Sequence, residues 1–174
     1  MSFDVEIRGI KNSETYLLGE FMYESIYQPN PSTPYPKDII YIPNIRIYWD
    51  NWGHSKDDHC LVGIVNSNSN NSDNIVGVVW SRNFHGELKG YGYIDENTPE
   101  IGIAIYKEYR NFGIGTKMMK QMLNYLFQKG YHQVSLSVSK GNPAINLYKR
   151  LGFYVIEENL DDFILVIKLS NNQK

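Results

Sequence analysis

Two glycines, Gly113 and Gly115, stand directly ahead of a long amphipathic stretch, with Arg110, Asn111 and Phe112 before them and Ile114 and Thr116 interleaved. Glycine at such a place lets a ligand approach the backbone, and the free N–H groups of a first helical turn present the positive end of the helix dipole. The chemistry on offer is the binding of a phosphate or pyrophosphate. A tight strand-to-helix turn that needs small residues for packing has the same appearance, so on these residues alone both readings stay open. Two familiar phosphate loops are excluded. A P-loop requires Lys and then Ser or Thr after its last glycine, whereas Gly115 is followed by Thr116 and Lys117. A dinucleotide fingerprint requires a third glycine where Met118 stands.

The elements that must position this loop can be read on either side of it. Ile101, Gly102, Ile103, Ala104 and Ile105 form a strand with large side chains on one face and almost none on the other. A helix is expected from Gly113 to Gly130, because Ile114, Met118, Met119, Met122, Leu123, Leu126 and Phe127 recur on one stripe. Val134, Leu136 and Val138 alternate with serines, which gives the next strand. Asn142 is placed to cap a further helix, with Pro143 at its first position, Ala144, Leu147, Tyr148 and Leu151 on one face and Gly152 as its stop. Strands over 153–156 and 163–169 close the chain.

Upstream, alternation over 4–8 predicts a strand, and Asn12 or Ser13 is expected to cap a helix running to Tyr27. Five prolines between Pro29 and Pro43 punctuate a loop, followed by a short helix over 44–52. Strands are expected over 60–65 and 75–80, joined by a polar, mobile hairpin tip over 66–74. The mixed order, ending β-α-β-α-β-β, predicts an α/β (α+β mixed) layer fold: one domain over 1–174, its sheet carrying helices on both faces.

Composition bounds the function. The 174 residues, 42% hydrophobic and 21% charged with a net charge of −2, describe a globular chain rather than a disordered one. No apolar run approaches the roughly 18 residues of a membrane span, so no membrane role is expected. The single cysteine, Cys60, excludes an intrachain disulfide and a multi-cysteine zinc site, and a cytoplasmic setting is expected. A pI near 6.1 argues against nucleic-acid binding. Asp57, Asp58, His59 and Cys60 look like a ligand cluster, but successive strand residues face opposite ways, and no metal is expected there. Tyr16, Tyr23, Tyr27, Tyr41, Tyr48, Trp49 and Trp52 are expected in the core for the most part, with a few walling a substrate pocket; Trp80 is expected to pack.

Arg110, Gly113 and Gly115 match the pattern Arg or Gln, two residues, Gly, one residue, Gly or Ala, set between a strand and a helix. About thirty residues on follow Asn142-Pro143-Ala144-Ile145-Asn146-Leu147-Tyr148 and then Leu151-Gly152-Phe153. Together the two blocks resemble the GCN5-related N-acetyltransferase (GNAT) superfamily over about residues 98–169, and the order of elements extends the resemblance back to Val5. The chain departs from the family at Asn111, where Gly is common, and at Lys107, where Pro often stands.

The resemblance implies a central, mixed but mostly antiparallel sheet of about six to seven strands flanked by helices. It implies acetyl-CoA as cosubstrate, no metal, and direct transfer of the acetyl group to a primary amine of a small molecule or peptide. Carried over residue by residue, Arg110, Asn111, Phe112, Gly113, Ile114, Gly115 and Thr116 would hold the pyrophosphate on backbone N–H groups. The backbone of Ile103, Ala104 and Ile105 would pair with the pantetheine arm, with the Ile103 N–H on the oxyanion and Asn142 touching the arm. Glu100 would act on the amine through water, since an amine of pKa about 10.4 is free base to a few parts in ten thousand at pH 7, a cost of about 4–5 kcal/mol. Tyr148 would protonate the departing sulfur.

Without the resemblance, Glu100 reads as an exposed strand-end acid and Tyr148 as a core ring. Residues 1–60 carry a net −4 and residues 61–174 a net +2, which suits a cationic acceptor on one half and a polyanionic cofactor on the other, although surface scatter gives the same sums. A homodimer is common in the family. The alternative function is a non-catalytic acyl-CoA-binding protein, a sensor or assembly partner, which needs only the loop; the presence of both Glu100 and Tyr148 favours the enzyme.

Overall fold

Seven strands form in the computed structural model, which describes residues 3–65 and 74–171. They are β1 (Val5–Gly9), β2 (His59–Val65), β3 (Ile75–Arg82), β4 (Glu100–Ile105), β5 (Gln133–Ser139), β6 (Tyr154–Glu158) and β7 (Asp162–Lys168). One sheet holds them in the order β1-β2-β3-β4-β5-β7-β6, antiparallel throughout except where β4 meets β5. The α-helices among the described residues are α1 (Leu18–Ser25), α2 (Pro43–Arg46), α3 (Ile114–Gln128) and α4 (Ile145–Leu151). None is long and apolar enough to cross a membrane.

The helices cover both faces, as expected. On one face, the α3 stripe of Ile114, Met118, Met119, Met122, Leu123 and Leu126 packs with Tyr148 of α4 on Ile101, Ile105, Leu136, Val138 and Leu165. Met118 lies close to the sheet because Gly63 and Gly77 leave room; a Cβ on Gly63 would meet its sulfur at 2.8 Å. Truncating so buried a methionine to Ala costs about 2–5 kcal/mol. On the other face, Leu18, Phe21 and Met22 of α1 join Ile40 and Ile45 over Val62, Val78, Trp80 and Ala104.

Three expectations are corrected. The helix expected from Asn12 or Ser13 to Tyr27 is a 3-10 turn over Asn12–Leu17 followed by α1. Its cap is Lys11, whose N–H donates to Glu14 at 2.8 Å, while Arg8 grips the same carboxylate at 2.6 and 2.8 Å. The 3-10 turn buries no residue, so no packing holds it in α geometry. The second helix, expected over 44–52, is confined to α2 with turns beyond it. Arg82 takes the carbonyls of Ile47 and Asp50 at 2.7 and 2.9 Å, and Asn51 turns left-handed at φ 51°. The fourth helix begins at Ile145; the Asn142 side chain instead caps the turn leading into it, accepting the Ala144 N–H at 2.9 Å. Residues 66–73 of the expected hairpin tip lie outside the described residues.

Candidate functional site

β4 and β5 are the sheet's only parallel neighbours among the described residues, and they share one residue pair, Glu100 with Ser135. The Ser135 N–H donates to Pro99 O at 3.1 Å; beyond that point no further pairing joins the two strands among the described residues. The opening exposes one edge of β4 inside the sheet. Tyr106 N–H donates to Val76 O at 3.0 Å, so the alternation of an antiparallel ladder turns the Gly102 and Ala104 backbone toward β3 and that of Ile101, Ile103 and Ile105 into the gap. Trp80 explains the bare face of this strand: its indole lies on Gly102, where a Cβ would meet the ring at 2.5 Å.

The edge runs into the start of α3. Gly113 adopts φ 80° with open space where a side chain would be, a conformation that favours glycine. Asn111 is left-handed too, at φ 68°, and Asn is the side chain that best tolerates this region, so the departure from glycine there keeps the loop's shape. No side chain caps the helix, and Lys117 N–H is the first to find a backbone acceptor, Gly113 O at 3.1 Å. The preceding N–H groups are a cluster of unspent donors. Gly115 has a different job: a Cβ there would meet Ile105 at 3.3 Å and Leu147 at 3.5 Å, so its smallness lets α3 sit on β4 and α4. Packing therefore accounts for Gly115 but not for Gly113, beside which no neighbour stands. Arg110 is committed elsewhere, its guanidinium on Ile105 O at 2.7 Å and on Glu24 Oε2 at 3.2 Å, which ties the loop to β4 and α1. The Ile114 side chain is buried, so only its backbone faces the loop's opening.

On α4, Tyr148 is 8% exposed with its ring edge-on to Phe153 at 5.9 Å. Its hydroxyl has no hydrogen-bond partner among the described residues, and burial pushes its pKa up to about 12. A buried tyrosine hydroxyl ordinarily has a partner. Asn142 and Gly141 lie at the C-terminal end of β5, and the chain after α1 reaches across to them, placing the Tyr27 hydroxyl 3.5 Å from where a Gly141 Cβ would stand.

Glu100 is not the exposed strand-end acid that one reading allowed; it is 6% exposed. Its Oε1 accepts from the Tyr48 hydroxyl at 2.7 Å and from Gly92 N–H at 2.9 Å, while Oε2 is buried without a partner. Burial lifts its pKa to about 7, against the pull of those two hydrogen bonds and with Asp162 adding to the rise. The turn over residues 90–93 closes on it. A Cβ at Gly90 would overlap Oε2, and one at Gly92 would meet the Leu136 carbonyl carbon at 2.6 Å. Tyr48 also accepts the Tyr91 N–H at 2.5 Å, so one hydroxyl locks the turn to the acid. Among the sequence readings Tyr48 stands only in the aromatic set, with no tie to Glu100, and Gly90 and Gly92 do not figure. The one local signal is the Gly90-Tyr91-Gly92 triplet, which permits close backbone approach.

The Asp57 to Cys60 run does not converge. Asp57 accepts from the Tyr131 hydroxyl at 2.9 Å, Asp58 binds Arg82 at 2.7 and 2.9 Å, and the Cys60 thiol is buried, its pKa pushed up by that burial. Among the described residues no three His, Cys, Asp or Glu side chains are grouped to hold a metal ion. A concavity of about 740 Å³ near Asp57, His85, Lys129 and Tyr131 lies at the far end of β4 and β5, away from the gap.

Comparison with known proteins bears on this arrangement. The acetyltransferase (GNAT) family model matches residues 21–153. A mycothiol acetyltransferase of Corynebacterium aurimucosum is 35% identical over 69 residues, 37% of this chain and 23% of that protein. An N-alpha-acetyltransferase of Sulfurisphaera tokodaii is 40% identical over 58 residues, 30% of this chain and 33% of that protein. The matches therefore span a third or less of these relatives' length. In solved structures the fold is shared with a PaiA N-acetyltransferase of Thermoplasma acidophilum in complex with coenzyme A, at TM-score 0.63 and 20% identity over 95% of this chain and 99% of that one.

Proposed function

The chain belongs to the acetyltransferase (GNAT) family, and from that premise we propose that it moves an acetyl group from acetyl-CoA directly to a primary amine of a small molecule or peptide. One observation carries the reading: the β4 edge opened inside the sheet ends on an uncapped helix N-terminus. An extended pantetheine arm would add to that edge as a short strand does, through the backbone of Ile103 and the N–H of Ile105. The pyrophosphate would fall on the N–H groups of residues 113–116, where the helix dipole favours anions.

The amine nitrogen attacks the thioester carbon, and a C–N bond forms as the carbonyl oxygen takes negative charge facing the Ile103 N–H. The C–S bond then breaks, and the sulfur takes the Tyr148 hydroxyl proton. The proton lost by the amine passes through water to Glu100. A base near pKa 7 is about half ionised at neutral pH, close to the best compromise between availability and strength. Tyr148 has no competing partner for its hydroxyl, which leaves it free for the sulfur.

The test is release of free thiol from acetyl-CoA in the presence of n-butylamine, 1,4-diaminobutane, glycinamide and a short peptide with a free N-terminus. Amine-dependent thiol release with formation of the N-acetyl product supports the reading. Saturable CoA binding without release for any amine would overturn transfer and leave the acyl-CoA-binding alternative.

A further inference from the structure

On the sheet face away from α3, a polar row crosses three strands. Glu100 of β4 stands opposite Ser135 of β5, and Ser139 of β5 stands opposite Asp162 of β7. Ser135, Ser137 and Ser139 alternate with Val134, Leu136 and Val138, which pack under α3, so the serines share the face of Glu100. The Ser137 hydroxyl donates to Asp162 Oδ2 at 2.7 Å, drawing that carboxylate back along β7 toward the Glu100 end of the row.

Two atoms of the row have no partner, Ser135 Oγ and Glu100 Oε2, in residues 0% and 6% exposed. A third, Trp80 Nε1, belongs to the indole lying on Gly102, the next residue of β4 on this face. A buried polar atom left without a partner is costly, so the gathering of these three on one face marks a place completed by something polar. The charges say what it is. Among the described residues no Lys or Arg pairs with Glu100 or Asp162; Arg82, opposite Glu100 in the β3 register, is held by Asp58.

We propose that Asp162 docks the ammonium of the acceptor, with Ser137 aiming its carboxylate along the row, so that a cationic primary amine is delivered toward Glu100. The proposal rests on the acetyl-transfer reading. The groups around Glu100 are the Tyr48 hydroxyl from the turns after α2, the Gly92 N–H from the covering turn, Arg82 opposite it in the β3 register and Asp162 from β7. Asp162 is the one whose negative charge opposes ionisation of Glu100, so removing it lowers the Glu100 pKa and moves the acid limb of kcat/KM to lower pH.

The experiment compares wild type with Asp162→Asn, Asp162→Glu and Ser137→Ala, using whichever amine of the panel above gives the fastest thiol release. The expected result for Asp162→Asn is a KM for the amine raised tenfold or more, a KM for acetyl-CoA within twofold, and an acid limb moved to lower pH. Asp162→Glu should restore most of the amine affinity and return the limb. Ser137→Ala should raise the amine KM by less and leave the limb in place. Folding of each variant is checked by its thermal transition. An active wild type matched by Asp162→Asn in amine KM and limb overturns the docking role, as do equal rises in both KM values. A wild type that releases no thiol with any amine contradicts the acetyl-transfer reading instead.

Discussion

The two ends of β4 solve opposite problems with opposite means. At the Ile105 end, the groups proposed to bind the cofactor are backbone N–H donors left bare by an opened ladder and an uncapped helix. At the Glu100 end, the group proposed as the base is one carboxylate, sealed under Gly90 and Gly92 and held by Tyr48. A phosphate site can be made from consecutive residues because the helix dipole and the orphan N–H groups are local. A tuned acid needs walls, and walls come from wherever the fold brings them.

The largest effect should come from the first end. Gly113→Val puts a branched side chain at φ 80°, costing about 1–2 kcal/mol in backbone strain, at the residue that opens the helix with its bare donors. CoA affinity by calorimetry should fall about a hundredfold or more. Gly115→Val should separate from it: the new side chain meets Ile105 and Leu147, so the expected loss is about 1–3 kcal/mol of stability, read as a lowered Tm. If both variants lose only affinity, or both only stability, the division of labour between the glycines is wrong.

Next comes the second end. Glu100→Gln should lower kcat about a hundredfold or more at pH 7 and recover partly at alkaline pH, where more amine is free base. A profile parallel to wild type would remove Glu100 as the base. The same variant reports on stability. The folded-state pKa of about 7 lies above the ordinary glutamate value, so the folded protein holds this proton more tightly than the unfolded chain. Below about pH 4 both states are protonated and nothing is lost; between there and pH 7 the folded state is progressively penalised, by about 3 kcal/mol once both are ionised. Glu100→Gln should therefore raise Tm at pH 8 and converge with wild type near pH 4.

Tyr148→Phe should lower kcat by roughly tenfold to a hundredfold while CoA affinity and Tm change little, because the hydroxyl that is removed has no partner to lose. A clear fall in Tm would assign the hydroxyl to structure. The smallest effect belongs to Asn111→Gly. It keeps the left-handed turn at φ 68°, and CoA affinity should stay within about twofold.

The same contrast decides what could be read in advance. The Arg110-to-Thr116 loop, the α3 stripe from Ile114 to Leu126 and the individual strands follow from alternation, periodicity and neighbouring glycines, all short-range signals, whereas the mostly antiparallel sheet that joins the strands is what the family resemblance implies. The surroundings of Glu100 follow from neither. Tyr48 and Asp162 lie far from it in sequence and nothing local marks them as its neighbours, while Gly92, eight residues away, shows only as part of a glycine-rich triplet. The Arg110 side chain adds what the motif does not spell out: its guanidinium goes to Ile105 O and Glu24, tying the loop to β4 and α1. The second helix failed for a tertiary reason as well, since Arg82 takes the carbonyls that would have continued it.

On the proposed reading the opened edge of β4 and the bare start of α3 hold the cofactor. Titration of the purified protein with CoA, followed by calorimetry, tests this most directly. Saturable binding at one site is expected, with a rise in Tm that grows as RT ln(1 + [L]/Kd). A folded protein that gives neither heat nor a Tm shift at millimolar CoA would contradict it.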